Sequence, residues 1–182
     1  GIRACKAGGG NETKSLRLRS ANEKTYALRS INKSRAEVIP REFRNTFMAK
    51  IVEDGISMSH PYGAYAVPGM LNAAGIYHTT PRLGWVPAQP ALDTFNKRFG
   101  NDLYLLEQRT EGDWSESANL GHFSDFEDTY DLIEKLHKDR SYKVDQRSFI
   151  KTRLFDMFIN DWDRHEDNYD WGVRGRLFIP VP

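Results

Sequence analysis

Cysteine is almost missing from this chain: Cys5 is the only one in 182 residues. That excludes an internal disulfide framework and a zinc site built on several thiolates, and leaves the redox compartment open. No apolar run approaches the ~20 residues that a membrane-crossing helix needs. The histidines His60, His78, His122, His137 and His165 contain no H-x-x-x-H pair, so no zinc-hydrolase helix is offered. Net charge is nearly absent too, with 26 basic against 25 acidic side chains. The chain as a whole therefore has no electrostatic reason to bind nucleic acid. There is no internal repeat and no long low-complexity tract. Gly1-Ile2-Arg3-Ala4-Cys5-Lys6 has neither a Met nor an apolar signal core, so no targeting segment is visible. Leu177-Phe178-Ile179-Pro180-Val181-Pro182 stops in an apolar, strand-like run, as an excerpt of a longer polypeptide would.

Aromatic residues are plentiful. Ten Phe, eight Tyr and four Trp can bury a real core, which argues against wholesale disorder. Trp85, Trp114, Trp162 and Trp171 read as core residues. Charge is segregated along the chain. Residues 1–50 hold 12 basic and 4 acidic side chains; residues 101–140 hold 4 basic and 11 acidic. A basic first quarter beside glycines suits either a solvated face or a phosphate-bearing ligand.

Gly8-Gly9-Gly10-Asn11 reads as a flexible turn. Ser15–Arg19 alternates polar and apolar residues as a half-buried strand does, and Thr25–Ile31 repeats the pattern after an Ala21–Lys24 turn. The chain is thus expected to open with a glycine loop and a hairpin. A helix is expected from Arg41 to Met58 behind Pro40, ended by His60-Pro61-Tyr62-Gly63. A short one should start at Pro68 and close at Gly75. Arg82–Pro87 reads as a strand, Leu92–Phe99 as a short helix stopped by Gly100, and Asp102–Arg109 as a buried strand. Glu111–Ser124 is a polar loop. The next helix places Phe126, Tyr130, Ile133, Leu136 and His137 on one face. The following one, Asp145 to Ile159, turns Ile150, Leu154, Met157 and Phe158 inward. A hairpin around Val173-Arg174-Gly175 closes the sequence.

The chemistry gathers after that last helix. Asn160-Asp161-Trp162-Asp163-Arg164-His165-Glu166-Asp167-Asn168 is the densest polar cluster of the chain. Apolar helices seldom empty into so many carboxylates unless these face water, a cation or a substrate. At the spacing Asp163…Asn168, the Asp can accept the proton of an attacking hydroxyl. The Asn amide oxygen can be presented to magnesium, a hard cation that favours oxygen ligands. The bland alternative is a capped helix end. His165 and Glu166 break the D-x-D-x-D-G pattern, which excludes an EF-hand loop.

Phe158–Asn168 resembles the catalytic loop of atypical protein kinases of the HipA-like, secretory-pathway and phosphatidylinositol-kinase-like groups, where an apolar helix runs into a D-x-H-x-x-N or D-R-H loop. With Gly8–Leu18 and His60-Pro61-Tyr62-Gly63, the whole chain also looks like a kinase-like segment of large Bacteroidetes envelope proteins that can carry phosphoesterase and outer-membrane-barrel regions. The resemblance implies an α+β, protein-kinase-like fold. Residues 1–109 would be a small antiparallel-sheet N-lobe with hinge, and 110–182 the beginning of a helical C-lobe. It implies ATP and magnesium as cofactors and γ-phosphoryl transfer to a hydroxyl acceptor, in the periplasm or cell envelope, with the cytoplasm left open. The partners would be the nucleotide, the acceptor and other envelope domains, with no nucleic acid and no membrane-spanning segment. Residue by residue, Gly8, Gly9, Gly10, Asn11 and Thr13 would lie over the phosphates. Arg29 would stand at the phosphate-contacting lysine position, paired with Glu53 or Asp54, and Leu106-Glu107-Gln108 would form the hinge. Asp163 would be the catalytic carboxylate and Asn168 a metal ligand. The second metal-binding Asp of such kinases would fall beyond Pro182. The alternative is a catalytically silent, nucleotide-binding or assembly domain.

Overall fold

The computed structural model of the chain describes residues 1–8, 14–31, 46–47, 62–161 and 164–182. The chain forms two compact units: Gly1–Val67 with Pro81–Arg109, and Pro68–Thr80 with Thr110–Pro182. The division falls within helix α1 (Gly63–Ala74). The architecture is α+β. Among the described residues no helix is long and apolar enough to cross a membrane. The expected Arg41–Met58 helix and its His60-Pro61 end lie outside the described residues, Thr46 and Phe47 apart.

The first unit is built on one antiparallel sheet. Strands β1 (Ile2–Gly8), β2 (Ser15–Ser20), β3 (Thr25–Ser30), β4 (Arg82–Val86) and β5 (Asp102–Gln108) lie in the order β1-β2-β3-β5-β4. Alternation sets the faces: Leu16 and Leu18 go inward, while Arg17 and Arg19 stay exposed. The inward face packs Leu16, Leu18, Leu28 and Tyr104 against Leu92 and Phe99. Burying each such aliphatic or aromatic side chain contributes ~1.5–3 kcal/mol. The expected opening hairpin is therefore a three-stranded meander. β1 escaped because its pairing shifts register between Ala4 and Lys6, where Cys5 is the extra residue, and this blurs the alternation. The expected helix over Leu92–Phe99 is a 3₁₀ segment, Pro90–Phe95, followed by one helical turn, α2 (Asn96–Phe99). Asp93, at φ 45 and ψ −126, breaks the helical path. Gly100 stops it as expected, since a Cβ there would lie 2.8 Å from the Asn96 carbonyl oxygen. Pro68 sits inside α1 rather than at its start; the helix begins at Gly63 and ends before Gly75, at φ +62.

The second unit carries strands β6 (Phe126–Asp128), β7 (Lys143–Val144), β8 (Asp170–Arg174) and β9 (Leu177–Val181) in the order β6-β8-β9-β7, with β7 parallel to β9. β8 and β9 form the expected hairpin, turning at Gly175 with φ +64. Leu132, Tyr169, Trp171 and Phe178 make its core, with Phe149 packed against them. The stretch read as a polar loop buries Trp114, Leu120 and Phe123. Trp171 is buried as well, whereas Trp85 is exposed and Trp162 lies outside the described residues.

Two helix readings are corrected. Phe126 belongs to β6, paired with Gly172, and helix α3 (Thr129–Lys138) starts only after Asp128, whose carboxylate accepts from the Asp131 amide at 2.8 Å. Tyr130 and Ile133 are exposed on it. Helix α4 (Gln146–Phe158) turns the opposite way from expectation: Ile150, Leu154, Met157 and Phe158 are 59, 60, 73 and 75 % exposed. Its inner face holds Thr152, Phe155 and Asp156 instead. The polar members of that face have partners: Thr152 donates to the Ser148 carbonyl, and Asp156 accepts through Oδ2 from Tyr169 and Arg153. Buried polar groups with partners are tolerated, and apolar periodicity does not register them.

Candidate functional site

Asp161 and the stretch Arg164–Asn168 are held by one carboxylate the sequence reading passed over. Asp156, 1 % exposed, lies in the last turns of α4. Its Oδ2 accepts from the Tyr169 hydroxyl at 2.6 Å and from Arg153 Nη1 at 3.1 Å. Its Oδ1 lies 3.5 Å from Arg164 Nε. Both of those last atoms are buried and lack a hydrogen bond, so attraction between charges joins them rather than an aligned bond. Burial pushes the Tyr169 hydroxyl up to about 12; Asp156 adds to the rise and Arg153 opposes it. Tyr169 therefore stays a neutral donor to Asp156. The signal for Asp156 was present in the sequence: it is the only carboxylate within the α4 run.

Arg164 is the crossbar of the loop. Beyond Asp156, its Nη2 meets Asp161 Oδ2 at 2.9 Å and its Nη1 donates to the Asn168 carbonyl at 3.1 Å. The guanidinium lies over the Tyr169 ring, 5.7 Å from its centroid. A planar fork reaching two carboxylates, a backbone oxygen and an aromatic face is a task for Arg and not for Lys. Asn160, at φ 58, turns the chain out of α4, and the Asp161 amide donates to the Asp156 carbonyl at 2.8 Å.

Asn168 closes the 3₁₀ turn Glu166–Asn168, its amide donating to the His165 carbonyl at 3.0 Å. Its side-chain Nδ2 lies 3.1 Å from His165 Nε2, and the Asp167 amide lies 3.3 Å from His165 Nδ1. An imidazole with one ring proton cannot accept at both nitrogens. The Asp167 N–H donates to Nδ1, which places the ring proton on Nε2, facing the Asn168 carboxamide 3.1 Å away. The Asn168 carboxamide carries an oxygen of the kind a hard cation takes. Among the described residues no three His, Cys, Asp or Glu side chains gather as a ligand set.

In the first unit, Gly8 ends β1 opposite Ser15, with open space where a Cβ would be. Arg29 projects from β3, and its Nε donates to Glu107 Oε2 on β5 at 2.5 Å. Glu107, read as a hinge residue, is thus the ion-pair partner of Arg29. Gly9, Gly10, Asn11, Thr13, Glu53, Asp54 and Asp163 lie outside the described residues.

Comparison with protein-family models, with curated proteins and with solved structures returns no match for this chain. The resemblance of the Asp163 loop therefore rests on its sequence.

Proposed function

We propose that the chain is a kinase-like, ATP- and magnesium-dependent phosphotransferase module that passes the γ-phosphoryl group to a hydroxyl acceptor, as part of a cell-envelope protein. The observation that carries the reading is the bracing of the loop around Asn168. A buried carboxylate and an arginine fix its backbone, and His165 lies 3.1 Å from its carboxamide. Rigid placement of a few polar groups is what phosphoryl transfer asks of a protein. Asn168 would hold the magnesium ion, which would neutralise charge on the phosphates. Asp163 orients the acceptor hydroxyl and takes its proton. Arg29 and the glycine run with Asn11 and Thr13 contact the phosphates.

The second reading is a catalytically silent nucleotide-binding or assembly domain. It is favoured by one observation, the engagement of Arg29 with Glu107, which leaves less of its guanidinium for phosphate. Phosphotransfer assays separate the two. On the first reading, Asp163→Ala abolishes transfer to a hydroxyl acceptor while nucleotide binding persists. Turnover unchanged by that substitution rejects the assigned role, and an inert wild type that still binds nucleotide selects the silent domain.

A further inference from the structure

Helix α4 is apolar on two sides. Phe149 and Phe155 lie on the side that packs into the second unit. The other side carries Ile150, Leu154, Met157 and Phe158, all exposed. At 3.6 residues per turn these four fall within an arc of about 100°. The spacing i, i+4, i+7, i+8 is the pattern by which one helix packs on another. Their exposed surface comes to roughly 500 Å², and a contiguous apolar patch of that size marks an interaction site. Two such stripes laid together would remove about 1,000 Å² from water, the size at which a specific protein interface begins.

The two ends of the stripe differ in sign. Residues 140–151, around its N-terminal end, hold four basic side chains and one acidic. Residues 160–168, just past its C-terminal end, hold four acidic and one basic. Arg147 and Lys151 are exposed on the helix, and Lys151 also donates to the Gly75 carbonyl. Of the carboxylates, Glu166 and Asp167 are exposed, while Asp161 pairs with Arg164. The helix dipole adds to the asymmetry, positive at the start of α4 and negative at its end. A second copy lying antiparallel brings a basic end onto an acidic end twice over. A parallel copy opposes like with like. An anionic membrane is a poorer fit, because the carboxylates past Phe158 repel it.

We propose that the exposed stripe of α4 is a self-association surface, on which two copies of the chain pair their α4 helices antiparallel about a twofold axis at Leu154. Leu154 is the midpoint of the stripe, and this fixes the register. It meets the partner's Leu154, Ile150 meets the partner's Phe158, and Arg147 meets the partner's Asp161. An interface of this size is weak, with a dissociation constant on the order of 10–100 µM. The chain is therefore a monomer when dilute and a dimer when concentrated. The pairing involves no nucleotide, so it stands or falls apart from the phosphotransferase reading.

Sedimentation equilibrium of the whole chain from about 1 µM to about 500 µM tests it. The mass should rise from monomer to dimer across that range, and salt should weaken the dimer. Leu154→Glu sets two carboxylates against each other on the axis and should stay monomeric throughout. At about 1 µM it should melt as the wild type does, which shows that it folds. Arg147→Glu should weaken the dimer about tenfold. In a Cys5→Ser background, Leu154→Cys should link two copies through a disulfide under diamide. Arg147→Cys should not, since its two positions lie about 20 Å apart along the paired helices. A wild type that stays monomeric at every concentration overturns the proposal. If Leu154→Glu then lowers the melting temperature of the dilute protein, another segment of the same chain covers the stripe. A dimer that Leu154→Glu leaves intact overturns it as well, as does faster linking of Arg147→Cys than of Leu154→Cys. So does a chain that binds phosphatidylserine vesicles through Leu154 without dimerising.

Discussion

Asp156 and Tyr169 are the residues on which the loop geometry turns. Removing one member of a buried charge pair leaves the other uncompensated and costs about 3 kcal/mol or more. Asp156→Ala should therefore lower stability by about that amount in urea unfolding, whereas Asp139→Ala, on an exposed pair with Arg176, should change it by less than about 0.5 kcal/mol. Tyr169 gives a pH signature. Its hydroxyl is raised from 10.0 to about 12 in the fold. Below the unfolded value both states are protonated and the contribution is fully present. As pH rises from 10 towards 12 the unfolded chain releases the proton first, so stability falls, by roughly 2–3 kcal/mol in all. Tyr104, raised mainly by burial, acts in the same direction. Urea midpoints at pH 9 and pH 11.5 should thus differ in the wild type and differ less in Tyr169→Phe; an identical alkaline loss in the variant would contradict the Asp156–Tyr169 assignment.

Among the elements, α4 tests the corrected packing. Substitutions on its exposed stripe, such as Ile150→Lys or Leu154→Glu, should move stability by no more than about 0.5 kcal/mol, while Phe155→Ala should cost about 3 kcal/mol or more. Its start depends on Asp145, which accepts from the Ser148 amide at 3.0 Å and hydroxyl at 2.7 Å; those bonds hold its carboxyl below the usual range. Asp145→Ala should cost about 1 kcal/mol at neutral pH. That difference should shrink as pH falls through the lowered carboxyl value, where the native cap is itself protonated. In β8, a Cβ on Gly172 would come within 2.2 Å of Phe123, so Gly172→Ala should destabilise by about 1–3 kcal/mol. The strands β2, β3, β5, β8 and β9 were legible because each alternates or runs apolar between clear turns. β1 was hidden by its bulge, β6 by its junction with α3, and the inner face of α4 by the polar residues it buries.

For the whole molecule, the sequence shows the polar cluster behind α4 better than it shows how that cluster is held. The density of carboxylates around Asp163 and Asn168 was readable in one dimension. The bracing by Asp156, Arg164 and Tyr169 was not, because its members meet only when α4, the loop and the start of β8 fold together. The central claim is that Asn168 supplies an oxygen to magnesium on a bound nucleotide. Thermal unfolding of the wild type and of Asn168→Ala, with ATP in the presence and absence of magnesium, tests it most directly. At a ligand concentration of 100 times Kd, ATP with magnesium should stabilise the wild type by about 2.7 kcal/mol, and Asn168→Ala should lose the part that depends on magnesium. An equal shift in both proteins, or none in the wild type, would contradict the account.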